Sequence, residues 1–353
     1  MSNLRGPPCL GTPPSSALYT SITRRLSFSV VNDLTFQVLR ALSDAEFRSG
    51  EALAHSFGVS RGTIHNALRG VEGLGIAVQR SRGLGYRLND APTWLDVGGI
   101  LAAAGGAAAT LVMQLEVTCD STNTALVELA RQGAASGTVV AAELQTQGRG
   151  RRGRSWESAL GAALTFSLLW RFERGVAALT GLSLAVGVAL VRALRGLGAR
   201  DVMLKWPNDL VLPGGKLGGI LIEVEGDTLG PSSAVIGIGV NCRLTSALQN
   251  RIDQPAADLV LAGASTLDRN VVLGALLREL CRVLSAFEQT GFPPFRAEWQ
   301  ACHAQQDCQV TLLRPDGLRE SGVARGVDDG GALLLEQGNA TRVCLAGEVS
   351  LRG

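Results

Sequence analysis

The chain has 353 residues, of which 46% are hydrophobic and 18% are charged, and its formal net charge is only +2. This length allows two or three domains with sizeable cores, and the near-neutral balance confines any nucleic-acid-binding surface to part of the molecule. The seven cysteines form no CxxC pair and the three histidines lie far apart in the sequence, which argues against a disulfide framework and a zinc site and favours a reduced, cytoplasmic location.

The N-terminal residues 1–30 are rich in Pro, Ser, Thr and Gly, which is typical of a disordered tail or of a wrongly assigned start. The pair Arg24-Arg25 resembles the beginning of a twin-arginine export signal, but polar residues at 32–33 interrupt the apolar run that has to follow it. The uncharged segment 97–113 is too short and too rich in Ala and Gly to span a bilayer, and it predicts a helix, a turn and a strand. We therefore expect no membrane association.

Residues 31–90 predict a winged helix-turn-helix domain. Apolar residues at helical spacing, capping serines at 49 and 60 and a stop at Gly58 delimit three short helices, and "IAVQRSRGLGYRL" then alternates about a glycine turn as a hairpin does. Between residues 59 and 88 five arginines accompany one glutamate, which suits a helix in the major groove and a wing against backbone phosphates. A winged helix that docks a protein, or that only supports the fold, remains an alternative interpretation. The predicted DNA contacts are Arg61, Thr63, His65, Asn66, Arg69, Arg80 and Arg82.

A linker is expected at about residues 90–95. Strand-like runs then alternate with apolar helical stretches, which predicts a mixed α+β domain over 91–303. Five short runs between Gly and Asp turns follow over 304–353 and predict a small β-barrel. The fold class is therefore a multidomain α+β chain.

The stretch "GRGRRGR" at 148–154 combines four arginines with three glycines. It matches the G-x-G-x-x-G pattern of dinucleotide-binding proteins and follows a predicted strand, but another strand comes next where that fold requires a helix. Guanidinium groups on a glycine-rich loop suit bidentate binding of phosphate or carboxylate. An RNA-binding or merely solvated loop is the alternative that Gln145, Arg149 and Arg151 alone leave open.

Only two of the 33 basic residues are lysines, and both lie in "KWPNDLVLPGGKLGGILIE". In a chain that otherwise prefers arginine, Lys205 and Lys216 are candidate positions where a compact ammonium matters. A proline stiffens the turn that carries Asn208 and Asp209, and the glycines at 214–215 return Lys216 toward that turn. The glycine pair after Lys216 lets a ligand approach the backbone closely.

Two further motifs carry short polar side chains. "GIGVN" at 237–241 ends a strand on an amide, and "CDSTN" at 119–123 has two hydroxyls and an amide before a helix. For the second motif, taken alone, a helix cap is the simpler interpretation.

Taken together and in this order, DSTN, QGRGRRGR, KWPND, KLGGIL and GxGxN resemble the motifs of the biotin–protein ligase family. The winged helix in front and the barrel behind make the chain similar to the bifunctional members, which also repress the biotin operon. The resemblance extends from about residue 34 to the end of the chain. It implies a central domain of the class II aminoacyl-tRNA synthetase and biotin ligase type and a C-terminal SH3-like barrel.

In this family the carboxylate of biotin attacks the α-phosphate of ATP, and a carrier lysine then attacks the resulting biotinyl-5′-AMP. The resemblance implies biotin and ATP as substrates, with Mg2+ brought by the nucleotide rather than held at a protein-only site. It implies a biotin carboxyl carrier protein, a subunit of acetyl-CoA carboxylase, and operator DNA as partners. It also implies a homodimer once the adenylate has ordered the loops.

The same motifs imply roles for individual residues. Those implied to be catalytic are Lys216, Arg149, Arg151 and Asp209. Those implied to bind biotin are Ser121, Thr122, Asn123, Gln145, Gly148, Arg149, Arg151, Lys216 and Gly219. Those implied to bind ATP or the adenylate are Arg149, Arg151, Trp156, Lys205, Asn208, Lys216 and Asn241.

Some of these roles stay open at this point. Asp209 either deprotonates the carrier lysine or fixes its turn, and Lys205 either binds phosphate or is structural. After Asn241 the sequence lacks the tryptophan with which some family members cover adenine. An apolar cover is expected instead from Leu244, Leu248 or Ile252.

Three alternative functions compete with the bifunctional ligase. A lipoate or octanoate ligase shares the central fold, and a biotin-responsive repressor without turnover shares the domain order. General nucleic-acid binding through the arginine loop is the third. The complete arginine loop beside KWPND, together with Lys216 and the winged helix, favours the ligase.

Overall fold

The computed structural model describes residues 33–264 and 268–351. The tail expected at 1–30 and the pair Arg24-Arg25 therefore lie outside the described residues. Among the residues that are described, no helix combines the length and the apolar character needed to cross a membrane.

The first unit is a winged helix-turn-helix, as predicted. Ser49 and Ser60 cap the second and third helices, because their hydroxyls accept hydrogen bonds from the backbone N–H groups of Ala52 (3.0 Å) and Thr63 (3.1 Å). Buried side chains from all three helices and the wing form one core. The elements are α1 (Asp33–Ala41), α2 (Gly50–Ser56), α3 (Arg61–Ala67), β1 (Val78–Ser81) and β2 (Gly85–Leu88).

The central unit is built on a seven-stranded mixed sheet. Its strands are β3 (Val112–Cys119), β4 (Thr138–Gln145), β5 (Ala163–Phe172), β6 (Met203–Lys205), β7 (Asp209–Leu212), β8 (Gly215–Gly226) and β9 (Ser232–Asn241). They lie in the order β3-β4-β5-β9-β8-β7-β6, with β3 and β4 parallel and the other neighbours antiparallel.

Helices cover both faces of this sheet. They are α4 (Val97–Ala104), α5 (Thr122–Arg131), α6 (Leu182–Gly196), α7 (Ser246–Gln249), α8 (Arg269–Thr290) and α9 (Arg296–Ala301). The apolar helices α6 and α8 pack together and bury the main core against one face. On the other face α5 packs on β4 and β5 through Leu126, Val140 and Leu169. The segment 97–113 begins with a helix and ends with the start of β3, as the sequence predicts, but a 3-10 helix (Gly105–Thr110) takes the place of the expected turn.

The last unit is a small antiparallel sheet in the order β13-β12-β11-β10-β14. Its strands are β10 (Gln309–Leu313), β11 (Arg319–Val327), β12 (Leu333–Gln337), β13 (Ala340–Cys344) and β14 (Glu348–Leu351). The five strands that the sequence predicts are therefore present, with β13 and β14 at the two edges of the sheet.

The segment expected to be a linker is packed between the first two units. The indole N–H of Trp94 donates to the hydroxyl of Ser43 (2.6 Å). Arg269, at the start of α8, donates to the carbonyl of Thr93 and forms an ion pair with Glu143, and both of these charged side chains are 2% exposed. A buried ion pair of this kind is costly to leave half-paired, so it fixes the segment on the central sheet.

Candidate active site

One cavity is enclosed by the arginine loop, the turn after β6, the β7–β8 hairpin and the first residues of α5. Residues 347–348 of the C-terminal sheet complete its wall. Most of the predicted site residues line this cavity. They are Ser121, Thr122, Asn123, Gln145, Arg149, Arg151, Trp156, Lys205, Asn208, Asp209, Lys216 and Gly219.

Lys216 is held at the charged end of the cavity by a hairpin, as the glycine pair predicts. Its ammonium lies 2.7 Å from Oδ1 of Asp209, and the two side chains are 20% and 18% exposed. A Cβ atom at Gly215 would lie 2.5 Å from the backbone of Pro255. Only glycine permits this close approach, which lets the Lys216 N–H donate to the Pro255 carbonyl (2.9 Å).

Asn241 stabilises the backbone of the same lysine. Its side-chain amide donates to the backbone carbonyls of Lys216 (3.3 Å) and Ala257 (3.0 Å), and the residue is 4% exposed. It lines a second cavity, which adjoins the first and shares Trp156 and Lys216 with it. Of the three apolar residues expected to cover adenine, Ile252 lines this second cavity, whereas Leu248 is buried against alanine side chains.

Three of the four loop arginines form ion pairs, and they do so with two carboxylates. Arg154 makes two hydrogen bonds to the carboxylate of Glu348 (2.7 and 2.8 Å), and Arg152 lies 3.8 Å from the same group. Arg149 forms an ion pair with Glu223. Each of these carboxylates therefore ties one end of the loop to a different sheet.

Arg151 is the exception among the four. Its guanidinium donates to the neutral amide oxygen of Asn208 (3.0 Å), and it forms no ion pair with any described residue. Burial lowers the pKa of this guanidinium, and the neighbouring charge of Arg152 lowers it further. Arg151 is therefore the loop arginine without an ion-pair partner among the described residues.

The pKa of Glu348 is also lowered, which in a carboxyl group favours the charged form. Burial alone would raise the pKa of its carboxyl group, but the hydrogen bonds and the charge of Arg154 hold that pKa below its ordinary value. The Glu348 carboxylate is therefore ionised at neutral pH and anchors the loop to β14.

The far end of the cavity is lined by uncharged polar side chains, and the Arg149–Glu223 ion pair lies beside them. The side-chain oxygen of Gln145 accepts from the backbone N–H of Thr122 (2.7 Å) and from its hydroxyl (3.1 Å). The Ser167 hydroxyl lies 2.8 Å from the Thr122 hydroxyl and 2.6 Å from Oδ1 of Asn123. Ser121 stands at the N-cap position of α5 without a side-chain capping bond. The structure therefore does not favour the interpretation of Ser121 as a simple helix cap.

Three glycines make room for these side chains. A Cβ at Gly237 would lie 2.0 Å from the Asn123 side-chain oxygen, and one at Gly239 would lie 2.6 Å from the Trp156 indole. Gly148 contacts the same tryptophan, and the backbone N–H of Trp156 donates to the Gly148 carbonyl (2.8 Å). In GxGxN the glycines thus provide space, which the motif alone does not reveal.

Sequence reasoning missed Ser167, Glu223 and Glu348. Ser167 lies within an apolar strand, and both carboxylates lie in strands of ordinary composition, far from the loop in the sequence. The one available signal was charge, because four clustered arginines in a chain of net charge +2 need acidic partners.

The predicted DNA-contacting residues lie on α3 and the wing. Arg61, Thr63, His65, Asn66 and Arg69 are exposed along α3 or at its end, and Arg82 is exposed at the wing turn. Arg80 differs, because its guanidinium donates to the carbonyl of Leu68 at the end of α3 (3.0 Å). Part of its hydrogen-bonding capacity is therefore used to terminate this helix.

Family models match three parts of the chain. A model of an HTH domain matches residues 35–87, one of the biotin/lipoate A/B protein ligase family matches 115–241, and one of the biotin protein ligase C-terminal domain matches 309–352. These matches follow the order of the three units described above.

Individual proteins agree with these models. The chain is 37% identical to the bifunctional ligase/repressor BirA of Escherichia coli over 91% of its own length and 98% of that protein. It is 37% identical to a biotin–[acetyl-CoA-carboxylase] ligase of Mycobacterium tuberculosis over 67% of its own length and 88% of that protein. Among solved structures, the biotin protein ligase of Aquifex aeolicus in complex with biotin and ATP matches with a TM-score of 0.57 and 28% identity, covering 68% of this chain and 98% of that one.

Proposed function

Because the chain belongs to the biotin protein ligase family, we propose that it joins biotin to a lysine of a biotin carboxyl carrier protein at the cost of ATP, and that it also binds operator DNA as a repressor. The observation that carries the enzymatic part is one cavity with two different ends. Lys216 and the unpaired Arg151 face the charged end, and uncharged hydrogen-bonding groups line the other. Biotin has the same division, with a carboxylate at one end and a neutral ureido ring at the other.

In the first step a carboxylate oxygen of biotin attacks the α-phosphorus of ATP. A new oxygen–phosphorus bond forms, the bond to the β-phosphate bridge breaks, and pyrophosphate leaves with its electron pair. The carboxylate is already ionised, so no base is needed. Arg151 and Lys216 reduce the repulsion between the two anions, and fixed cations in a closed site stabilise the charge that develops on the phosphate.

In the second step the amine of the carrier lysine attacks the carbonyl carbon of the mixed anhydride. The carbon–oxygen bond to phosphate breaks, AMP leaves with the electron pair, and the nitrogen loses a proton to water as the amide forms. Asp209 is paired with Lys216, which supports the role of fixing this turn and orienting the ammonium over that of a general base. Lys205 lines the same cavity, which supports phosphate binding.

The remaining polar residues divide between the two substrates. Ser121, Thr122 and Gln145 bind the ureido ring through hydrogen bonds, which fix orientation without needing charge. The second cavity, with Trp156, Asn241 and Ile252 on its walls, receives the nucleotide. Mg2+ enters with ATP as part of that substrate.

The enzymatic proposal is tested by biotin-dependent exchange of labelled pyrophosphate into ATP, with lipoate and octanoate as control acids. Exchange with biotin alone is expected. Exchange with lipoate or octanoate in its place would instead support the rival ligases. Tight biotin binding without any exchange would leave a biotin-responsive repressor.

For repression we propose a homodimer that forms once the adenylate has ordered the loops. β7 pairs with β8 only as far as Gly219, and Asn208 and Asn123 bind the backbone of the next two residues, so the outer edge of β8 over 222–226 has no strand partner among the described residues. An unpaired edge of this kind is a ready surface for a second copy of the chain, and a twofold axis would pair it with itself. Two winged helices would then meet half-sites separated by whole turns of DNA, roughly 34 Å or a multiple.

Analytical ultracentrifugation tests the dimer. The expected result is a monomer without ligand and a dimer with biotin, ATP and operator DNA together. A monomer under the second condition would refute dimeric repression while leaving the ligase proposal intact.

A further inference from the structure

The arginine loop is anchored from two sides. At its end Arg154 binds Glu348 of the C-terminal sheet, and at its beginning Arg149 binds Glu223 of β8. Of the two cations between them, Arg152 lies 3.8 Å from Glu348, and Arg151 has no ion-pair partner among the described residues. The ion pairs thus act on the ends of the loop and leave its middle available to a ligand.

Glu223 has a second contact, which leads to the floor of the cavity. The Oε2 atom that binds Arg149 also accepts a hydrogen bond from the Asn123 side-chain amide (2.8 Å). That amide also donates to the carbonyl of Leu221 (3.1 Å), and its oxygen lies 2.6 Å from the Ser167 hydroxyl. Because Asn123 is 3% exposed, a single carboxylate oxygen of Glu223 connects a buried side-chain amide to the arginine loop.

We propose that Glu223 is a positioning residue for ligand binding. Its ion pair with Arg149 holds the first turn of the loop over the uncharged end of the cavity, next to Asn123. Less of the loop therefore has to become ordered when the ligand binds. Holding a binding loop in its bound arrangement raises affinity because the entropy cost of ordering is met beforehand. That the ligand is biotin rests on the function proposed above.

The exposure of the pair separates this role from a structural one. The side chains of Arg149 and Glu223 are 44% and 34% exposed. Ion pairs at such positions add little to the stability of a fold. Loss of the Glu223 charge should therefore appear in loop order and in ligand affinity, with little effect on unfolding.

The chain offers a matched control two residues away on the same strand. Glu225 of β8 forms the same kind of ion pair with Arg131, at somewhat greater exposure (60% for Arg131 and 46% for Glu225). Neither residue lines the ligand cavity. Glu223→Gln and Glu225→Gln therefore remove the same charge from neighbouring positions, and only the first contacts the loop.

Three readouts are measured on the full chain. Trypsin cleaves after arginine, and nicking of the ligand-free loop is expected to be several-fold faster in Glu223→Gln and unchanged in Glu225→Gln. Calorimetric biotin affinity is expected to fall about fivefold or more in Glu223→Gln, the order of effect for a lost charged contact. The exchange rate at saturating biotin should stay within about twofold, because the proposed effect lies in binding rather than in chemistry.

A third variant tests whether the effect runs through Arg149. In an Arg149→Gln background Glu223→Gln should cause no further loss of affinity, since the partner is already gone. Unchanged nicking and affinity in Glu223→Gln would overturn the proposal. So would fully additive losses, or a melting temperature that falls together with affinity. Failure of the ligase proposal would show differently, as absence of biotin-dependent exchange in the unaltered protein, while the nicking comparison would still decide the role of Glu223.

Discussion

At the scale of single residues, the ammonium of Lys216 is specified by its surroundings. It occupies a site that is 20% exposed, 2.7 Å from Asp209, on a backbone held by Asn241. A planar guanidinium is larger and donates in a fixed fork, so it does not fit a position built around one compact charge. This accounts for a lysine in a chain whose other basic residues, Lys205 apart, are arginines.

We therefore expect Lys216→Arg to be nearly as harmful as Lys216→Ala. Removal of one charged contact to the transition state costs on the order of 3 kcal/mol, about a hundredfold in rate. Both variants should lose about that factor in pyrophosphate exchange while keeping the melting temperature of the unaltered protein. Near-normal exchange by Lys216→Arg would show that charge alone is needed at this position.

Gly237 provides a second prediction at the residue scale. A methyl group there would meet the Asn123 side-chain oxygen at 2.0 Å, so Gly237→Ala must displace that amide. Biotin affinity is expected to fall about tenfold or more, because the hydrogen bonds of the cavity floor are disturbed. Gly196→Ala is the control, since a Cβ at Gly196 in the last turn of α6 meets nothing within 4 Å. Equal affinity of the two variants, measured by calorimetry, would contradict the role given to this glycine.

At the scale of elements, α3 lies away from the cavity, because none of its residues lines the cavity wall. Its exposed face carries Arg61, Arg69 follows its C-terminal end, and its capping hydroxyl belongs to Ser60. Cap, stop residue and apolar spacing were all readable because they act within a few residues of sequence. The seven-stranded sheet order was not predicted, because strand pairing depends on contacts between distant segments.

Arg61→Ala is expected to weaken operator binding by about 1–3 kcal/mol, because one contact to a phosphate or a base is lost. Fluorescence anisotropy with biotin and ATP present measures it. Pyrophosphate exchange in the same preparation should be unchanged, because Arg61 lies outside the ligand cavity. Arg282→Ala, which removes an exposed charge from α8 instead, should leave operator affinity unaltered. Unchanged operator affinity in Arg61→Ala would favour a docking or structural role for the winged helix.

At the scale of the whole molecule, the units are joined more closely than the sequence suggests. Leu160 of the central unit is buried in the core of the winged helix, and its N–H donates to the Leu74 carbonyl (2.9 Å). Glu348 connects the C-terminal sheet to the arginine loop through its hydrogen bonds with Arg154. The expected linker around Trp94 is likewise packed. Composition predicts that a segment connects two domains, but whether it packs depends on partners such as Ser43 and Arg269, which lie elsewhere in the chain.

The junction between the central and C-terminal units contains a buried histidine. His303 is 2% exposed and packs on Trp299, with ring centroids 4.6 Å apart. Burial lowers its pKa to about 4 from 6.5, although Gln306 and Asp307 oppose the shift. Above pH 6.5 the imidazole is neutral in both the folded and the unfolded chain, so it contributes no pH dependence there.

Between pH 6.5 and 4 the unfolded chain binds a proton that the folded chain does not, so stability falls as the pH falls. The shift of about 2.5 pKa units corresponds to a loss on the order of 3 kcal/mol across this window. Denaturant unfolding at several pH values should therefore show a steeper decline for the unaltered protein than for His303→Gln. Parallel curves for the two proteins would mean that His303 is not buried in its neutral form.

The ligase activity is tested most directly by transfer itself. Purified protein is incubated with labelled biotin, MgATP and a biotin carboxyl carrier domain, and the mass and label of that domain are followed. We expect one biotinyl group per carrier domain, on a single lysine, with loss of transfer in Lys216→Ala and with a carrier whose acceptor lysine is replaced. A carrier that stays unmodified in the presence of the unaltered protein, although biotin binds, would contradict the ligase and leave a biotin-binding repressor.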